Sequence, residues 1–141
     1  MQSRAWKPRD CGIMGADKSG GRLSKLRVRN QSKNTLLADR ADIANTSITR
    51  KVGLLRRTGL EKGEGLWITP CEAVHTVGMK FPIDVLFLDR KRRVVKIRSD
   101  MPRWRMSACL WAHSVLELPS GMAAATGTSK GDQLELEKYE I

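Results

Sequence analysis

Two carboxylates stand inside runs of apolar, strand-forming residues, where an acidic side chain is unusual. They are Asp84 and Glu117. Burying a carboxylate is costly unless it is paired or hydrogen-bonded. One hypothesis is therefore an enzyme in which Asp84 and Glu117 act as general acid and base, with pKa values pushed apart and His75 nearby. The alternative is structural: each carboxylate accepts hydrogen bonds from a loop backbone or from an arginine such as Arg103 or Arg105.

A soft-metal site is the second chemistry to consider, because Cys71, His75 and Met79 follow one another closely. The pattern of residues 74–81 predicts a strand, on which His75 and Met79 would share a face but lie about 13 Å apart. That separation is too large for one metal ion without a bend in the chain. The sequence therefore predicts no metal site and no cofactor.

Trp104 is flanked by Arg103 and Arg105 in a segment without regular periodicity. A loop tryptophan among arginines can stack on a sugar, a base or a peptide, although it could also plug one end of a β-sandwich. No standard catalytic motif is present. We therefore expect a non-catalytic module that binds an unidentified small-molecule or peptide ligand. The candidate binding residues are His75, Lys80, Asp84, Trp104 and Glu117.

The net charge of +11 invites a third hypothesis, association with a polyanion. Residues 1–60 hold 14 basic and 4 acidic side chains, whereas residues 61–141 hold 12 and 11. The excess thus lies mainly in the first part of the chain, with one further basic cluster between two predicted strands. Weak electrostatic binding of nucleic acid or an anionic surface would use that basic first part and the cluster Arg90, Lys91, Arg92 and Arg93.

The elements that must position these side chains are mostly strands. Alternating or continuous apolar patterns predict strands near residues 26–28, 35–38, 66–68, 74–81, 81–88, 94–98, 115–118 and 133–138. Residues 46–55 place Ile48, Val52 and Leu55 at helical spacing, which predicts one short amphipathic helix. We expect a flexible basic tail over residues 1–22 and one β-rich domain over residues 23–141, folded as a small β-sandwich or barrel.

Three blocks of sequence are typical of a known family. They are Arg50-Lys51-Val52-Gly53-Leu54-Leu55, Gly63-Glu64-Gly65-Leu66-Trp67-Ile68-Thr69-Pro70-Cys71, and the run from Val74 to Asp89 that contains His-Thr-x-x-Met-x-Phe-Pro-Ile-Asp-Val. From about Leu23 to Leu136 the chain resembles the domain of unknown function 192 family, a group of small bacterial and archaeal β domains. The resemblance implies a jelly-roll-like topology and no particular activity. Its members usually carry an acidic-Gly pair where this chain has residues 90–93, so we expect a longer or different turn here.

The sequence also bears on localisation. Residues 1–10 contain no apolar stretch suited to a signal peptide, and no apolar run approaches the ~20 residues that span a bilayer. The three cysteines, Cys11, Cys71 and Cys109, are an odd number without metal-ligand spacing. We therefore expect a cytoplasmic protein with reduced thiols. The sequence predicts no particular oligomeric state.

Overall fold

The structure, a computed structural model, describes residues 24–140. The tail predicted over residues 1–22, including Cys11, lies outside these residues. In chain order the elements are β1 (Ser24–Asn30), β2 (Thr35–Ala44), α1 (Ser47–Val52), β3 (Gly63–Ile68), β4 (Ala73–His75), β5 (Ile83–Leu88), β6 (Val94–Met101), β7 (Met106–Ala108), β8 (Ser114–Pro119), α2 (Met122–Ala125) and β9 (Leu134–Glu140). The mainly β prediction is confirmed.

Seven of the strands form one sheet in the order β6-β5-β8-β3-β2-β1-β9, and β4 and β7 form a separate two-stranded ribbon. All pairs are antiparallel except β2 with β3, which run parallel. The edge strands β6 and β9 approach each other at one end, where Arg93 forms an isolated bridge with Gln133. The pairing does not continue along the two strands, so the barrel alternative is wrong for this sheet.

Strand β5 is buried on both faces because apolar clusters lie on either side of the sheet. Leu86 and Leu88 belong to a cluster built mainly from β1, β2, β8 and β9. Val85 and Phe87 belong to the other cluster, which includes residues of β3, β4 and the turn after α1. Because side chains alternate along a strand, neighbouring residues of β5 and β8 serve different cores.

Helix α1 is shorter than predicted and packs differently. The Thr46 side chain caps it by accepting a hydrogen bond from Thr49 N (3.1 Å), and Gly53 ends it with φ +48°. No residue of α1 is buried, and Ile48 is 66% exposed, so the predicted apolar face is wrong at this position. Leu54, just beyond the helix, is buried instead. The four-residue helix α2 was not predicted.

The strand predicted over residues 74–81 ends at His75. The Thr76 hydroxyl donates to Pro102 O (2.6 Å) and accepts from Arg105 N (2.9 Å), which turns this residue inward. The chain then turns at Gly78, whose φ of +83° favours glycine. As a result Met79 is buried while His75 is exposed, and the two do not share the face of one strand.

Neither helix between residues 24 and 140 has the length and apolar character needed to cross a membrane.

Candidate functional site

A cavity of about 500 Å³ lies between α1, the turn that follows it, β4 and one face of the large sheet. Residues 50–55 form one wall, and Val74 and Met79 lie on the other side. Ile68 of β3 and Glu117 of β8 contribute from the sheet. We call this space the Glu117 cavity. Its volume falls within the range that binds small organic ligands.

Glu117 is the unusual residue of this cavity. Strand β8 lies between β3 and β5, which pairs Glu117 with Leu66 on one side and Val85 on the other. The residue is only 4% exposed, and no described residue hydrogen-bonds or pairs with its carboxyl group. Burial raises the pKa of Glu117 to about 8. At neutral pH the group is therefore mainly protonated and can donate a hydrogen bond.

Basic side chains border the same cavity. Arg50, Lys51 and His75 line it, and Lys51 and His75 are exposed. The guanidinium of Arg50 lies near two backbone acceptors, with Nη1 at 3.3 Å from Asn45 O and 3.5 Å from Thr69 O. These side chains give the cavity a positive border around a mainly apolar interior.

The turn at Gly78 brings Cys71, His75 and Met79 to the lining of one cavity, although an extended strand would have separated His75 from Met79. Cys71 is buried and its thiol donates to Ala73 O at 3.1 Å. Across residues 24–140, no group of three or more histidine, cysteine or acidic residues is arranged to hold a metal ion. We assign no metal site to this cavity.

Asp84 has a structural environment, as the alternative interpretation expected. It is fully buried, and its two oxygens accept separate backbone hydrogen bonds. Oδ1 accepts from Asp100 N at 2.7 Å and Oδ2 accepts from Ala123 N at 2.8 Å. The carboxyl group therefore connects β5 to the end of β6 and to α2.

The hypothesis of an acid/base pair formed by Asp84 and Glu117 is wrong. In the β5–β8 register, Asp84 lies opposite Leu118, and Val85 lies opposite Glu117. Residues opposite each other share a face and successive residues alternate, so the two carboxyl groups lie on opposite faces of the sheet. No substrate can contact both within one pocket.

The other predicted binding residues are not gathered at the Glu117 cavity. Lys80 and Trp104 are exposed and do not line it, and Asp84 lies on the other face of the sheet. Trp104 is 60% exposed, so it does not plug one end of the fold. Of the five candidates, His75 and Glu117 come together. Sequence reasoning missed Arg50 and Lys51, because they belonged to the helix face expected to be solvated.

The basic cluster at residues 90–93 forms the tip of the β5–β6 hairpin, and its turn differs from an acidic-Gly turn as expected. Asp89 Oδ1 accepts from Lys91 N and Arg93 N, both at 2.9 Å. Arg92 takes the left-handed conformation, with φ +64°. An arginine thus occupies a backbone position that glycine normally favours.

Comparisons with known proteins agree with this fold. A family model described as DUF192, "Uncharacterized ACR", matches residues 28–136. A protein of unknown function from Novosphingobium aromaticivorans DSM 12444 superposes with a TM-score of 0.69 and 26% identity, covering 79% of this chain and 83% of its own. A proposed transcription regulator from Sinorhizobium meliloti 1021 superposes with a TM-score of 0.70 and 20% identity, covering 82% of this chain and 93% of its own. At this identity the likeness shows a shared fold and no shared role. The comparison with curated proteins found no match.

Proposed function

Since the chain belongs to the DUF192 family, whose members are described as uncharacterised, we propose from its own geometry that it is a non-catalytic module that binds a small ligand in the Glu117 cavity. The scaffold would be the jelly-roll-like β domain that the sequence resemblance implies. Its mainly β architecture holds the cavity between the sheet, α1 and β4.

The observation that carries the proposal is the carboxyl group of Glu117 on the cavity lining, at a residue that is only 4% exposed and lies in the middle of an apolar sheet. Its oxygens are not sealed by protein atoms and remain accessible from the cavity. A ligand in the cavity can therefore form the hydrogen bond that the described residues do not supply. Because burial keeps Glu117 protonated, the partner would be an acceptor atom such as a carbonyl or ether oxygen.

The remaining lining specifies the rest of the ligand. Leu54, Ile68 and Met79 offer apolar contacts that favour a hydrocarbon or aromatic body. Lys51 and His75 at the border favour an anionic group. We therefore infer a small amphipathic molecule with an apolar body, a negative group near α1 and β4, and an acceptor atom against Glu117.

The dye anilinonaphthalene sulfonate tests this proposal, because it joins an aromatic body to an anion. We expect saturable fluorescence enhancement with the folded wild-type protein. Ala73→Phe should abolish it, since Ala73 lines the cavity and a phenyl ring there occupies the space. Ala124→Phe is the control: Ala124 belongs to α2, is also exposed, and is not part of the lining.

Circular dichroism should first confirm that both variants remain folded, because partly unfolded proteins also bind this dye. Dye affinity should fall as the pH rises through about 8, where Glu117 becomes negative and repels the sulfonate. Glu117→Gln should remove that pH dependence. Equal dye binding by the two folded variants that carry phenylalanine in place of alanine would overturn the proposal.

A further inference from the structure

A second basic site lies at the tip of the β5–β6 hairpin, and its lining shares no residue with that of the Glu117 cavity. Here a pocket of about 240 Å³ is lined by Trp67, Arg90, Arg92 and His113, among others. We call it the tip pocket. Its place in the fold depends on a contact distant in sequence, because His113 N donates to Leu88 O at 2.7 Å and holds the loop before β8 against the hairpin.

The tip pocket combines several donors and has one negative group on its lining. The Arg92 guanidinium lies 5.0 Å from the centre of the Trp67 ring. The indole Nε1 of Trp67 is enclosed by protein atoms, so the donors that a ligand in the pocket can reach are the side chains of Arg90, Arg92 and His113. The negative group belongs to Asp89, whose Oδ1 already accepts two backbone hydrogen bonds from the turn. Arginine guanidinium groups bind phosphate through charge-assisted hydrogen bonds.

A wider groove of about 540 Å³ adjoins this pocket and shares Asp89, Arg90 and His113 with it. Trp111, which is 82% exposed, lies on the groove. We call it the Trp111 groove. An exposed tryptophan beside arginines can stack on any nucleic-acid base, because every base has a flat aromatic face.

We propose that the hairpin tip binds a nucleoside monophosphate, with the phosphate in the tip pocket and the base against Trp111. This chemistry occurs both in a free nucleotide and at the phosphorylated end of a single-stranded RNA. The proposal is independent of whether the Glu117 cavity is occupied. The local charge is consistent with it: burial lowers the pKa of His113, and the positive charges of Arg90 and Arg92 lower it further.

The first experiment uses the two histidines of the chain as reporters. Untagged protein is titrated with adenosine monophosphate, inorganic phosphate or adenosine while the imidazole resonances are followed by NMR. We expect adenosine monophosphate and phosphate to shift His113 and raise its pKa, because a bound anion stabilises the imidazolium. His75 lines the Glu117 cavity and reports separately on any anion bound there. Absence of a His113 response, or a response of His75 in its place, would overturn the proposal.

Two matched pairs of variants assign the phosphate and base positions. Trp111→Ala should weaken adenosine monophosphate binding by at least about fivefold and leave phosphate binding unchanged. Trp104→Ala is its control, because Trp104 is also exposed but lies on neither the tip pocket nor the groove. Arg90→Gln should weaken both ligands, whereas Arg103→Gln should weaken neither. Equal losses within either pair would contradict the assignment.

A final comparison separates the two sources of the ligand. Tighter binding of a terminally phosphorylated RNA hexamer than of adenosine monophosphate supports an RNA end, and the reverse order supports a free nucleotide. Equal binding of the same hexamer without its terminal phosphate would overturn the proposed phosphate position. Displacement of adenosine monophosphate by an acidic peptide at lower concentration would identify a peptide surface instead and would also overturn it.

Discussion

Replacing Glu117 with glutamine should stabilise the protein at neutral pH, because glutamine has no proton to release when the protein unfolds. The native group has a pKa of about 8, raised by burial from an ordinary value of 4.5. The folded state therefore holds a proton that the unfolded state releases between these two values. It follows that the contribution of Glu117 to stability is complete below pH 4.5 and is lost as the pH rises to 8.

The expected size follows from about 1.4 kcal/mol per pKa unit. The wild type should lose about 3 kcal/mol of unfolding free energy from Glu117 by pH 7, and about 5 kcal/mol above pH 8. Glutamine has nearly the shape of the protonated carboxyl group and does not ionise. The variant should therefore match the wild type near pH 4.5 and exceed it by about 3 kcal/mol at pH 7.

Urea denaturation followed by circular dichroism between pH 4.5 and 8.5 measures this difference. His113 also contributes a pH dependence, because burial lowers its pKa, but both proteins share its contribution. The control is Glu135→Gln, which makes the same chemical change at an exposed position of β9. Parallel pH curves for the wild type and Glu117→Gln would refute the inference that Glu117 is protonated in the folded state.

Two further outcomes follow from hydrogen bonding and backbone conformation. Asp84→Asn should lower the unfolding free energy by about 2–4 kcal/mol, because an amide cannot accept from both Asp100 N and Ala123 N; a loss below about 1 kcal/mol in urea denaturation would contradict this role. Arg92→Gly should be more stable than Arg92→Ala by about 1 kcal/mol, since both lose the contact with Trp67 but only glycine adopts φ +64° without strain. Equal midpoints for these two variants would count against strain at the hairpin tip.

Local pattern predicted the regular strands well, because their burial is periodic. The alternation of Leu134 and Leu136 with glutamates indicated β9, and the continuous apolar run indicated the doubly buried β5. The prediction failed at Thr76, since the bonds that turn this residue inward come from Pro102 and Arg105, more than 25 positions away. A strand pattern contains no information about such distant backbone partners.

The candidate site could be predicted only in part, because it also depends on contacts between residues that are distant in the sequence. An acidic residue in an apolar strand correctly marked Glu117 as buried, but its face depended on the register between β5 and β8. That register separates it from Asp84. Trp104 was a candidate because arginines flank it in the sequence. Trp111 and Arg90 line one groove only because the fold places the loop before β8 against the hairpin tip, and the sequence alone does not show this.

The pairing of β1 with β9 has a consequence for the order in which the chain folds during synthesis. These strands pair over seven positions, from Ser24 with Glu140 to Asn30 with Leu134. Strand β1 can therefore complete its pairing only after β9, the last described strand, has been synthesised. Until β9 leaves the ribosome, one edge of β1 has no partner and Leu134 is missing from the core. A nascent chain that stalls late in translation would therefore expose a free strand edge to neighbouring chains.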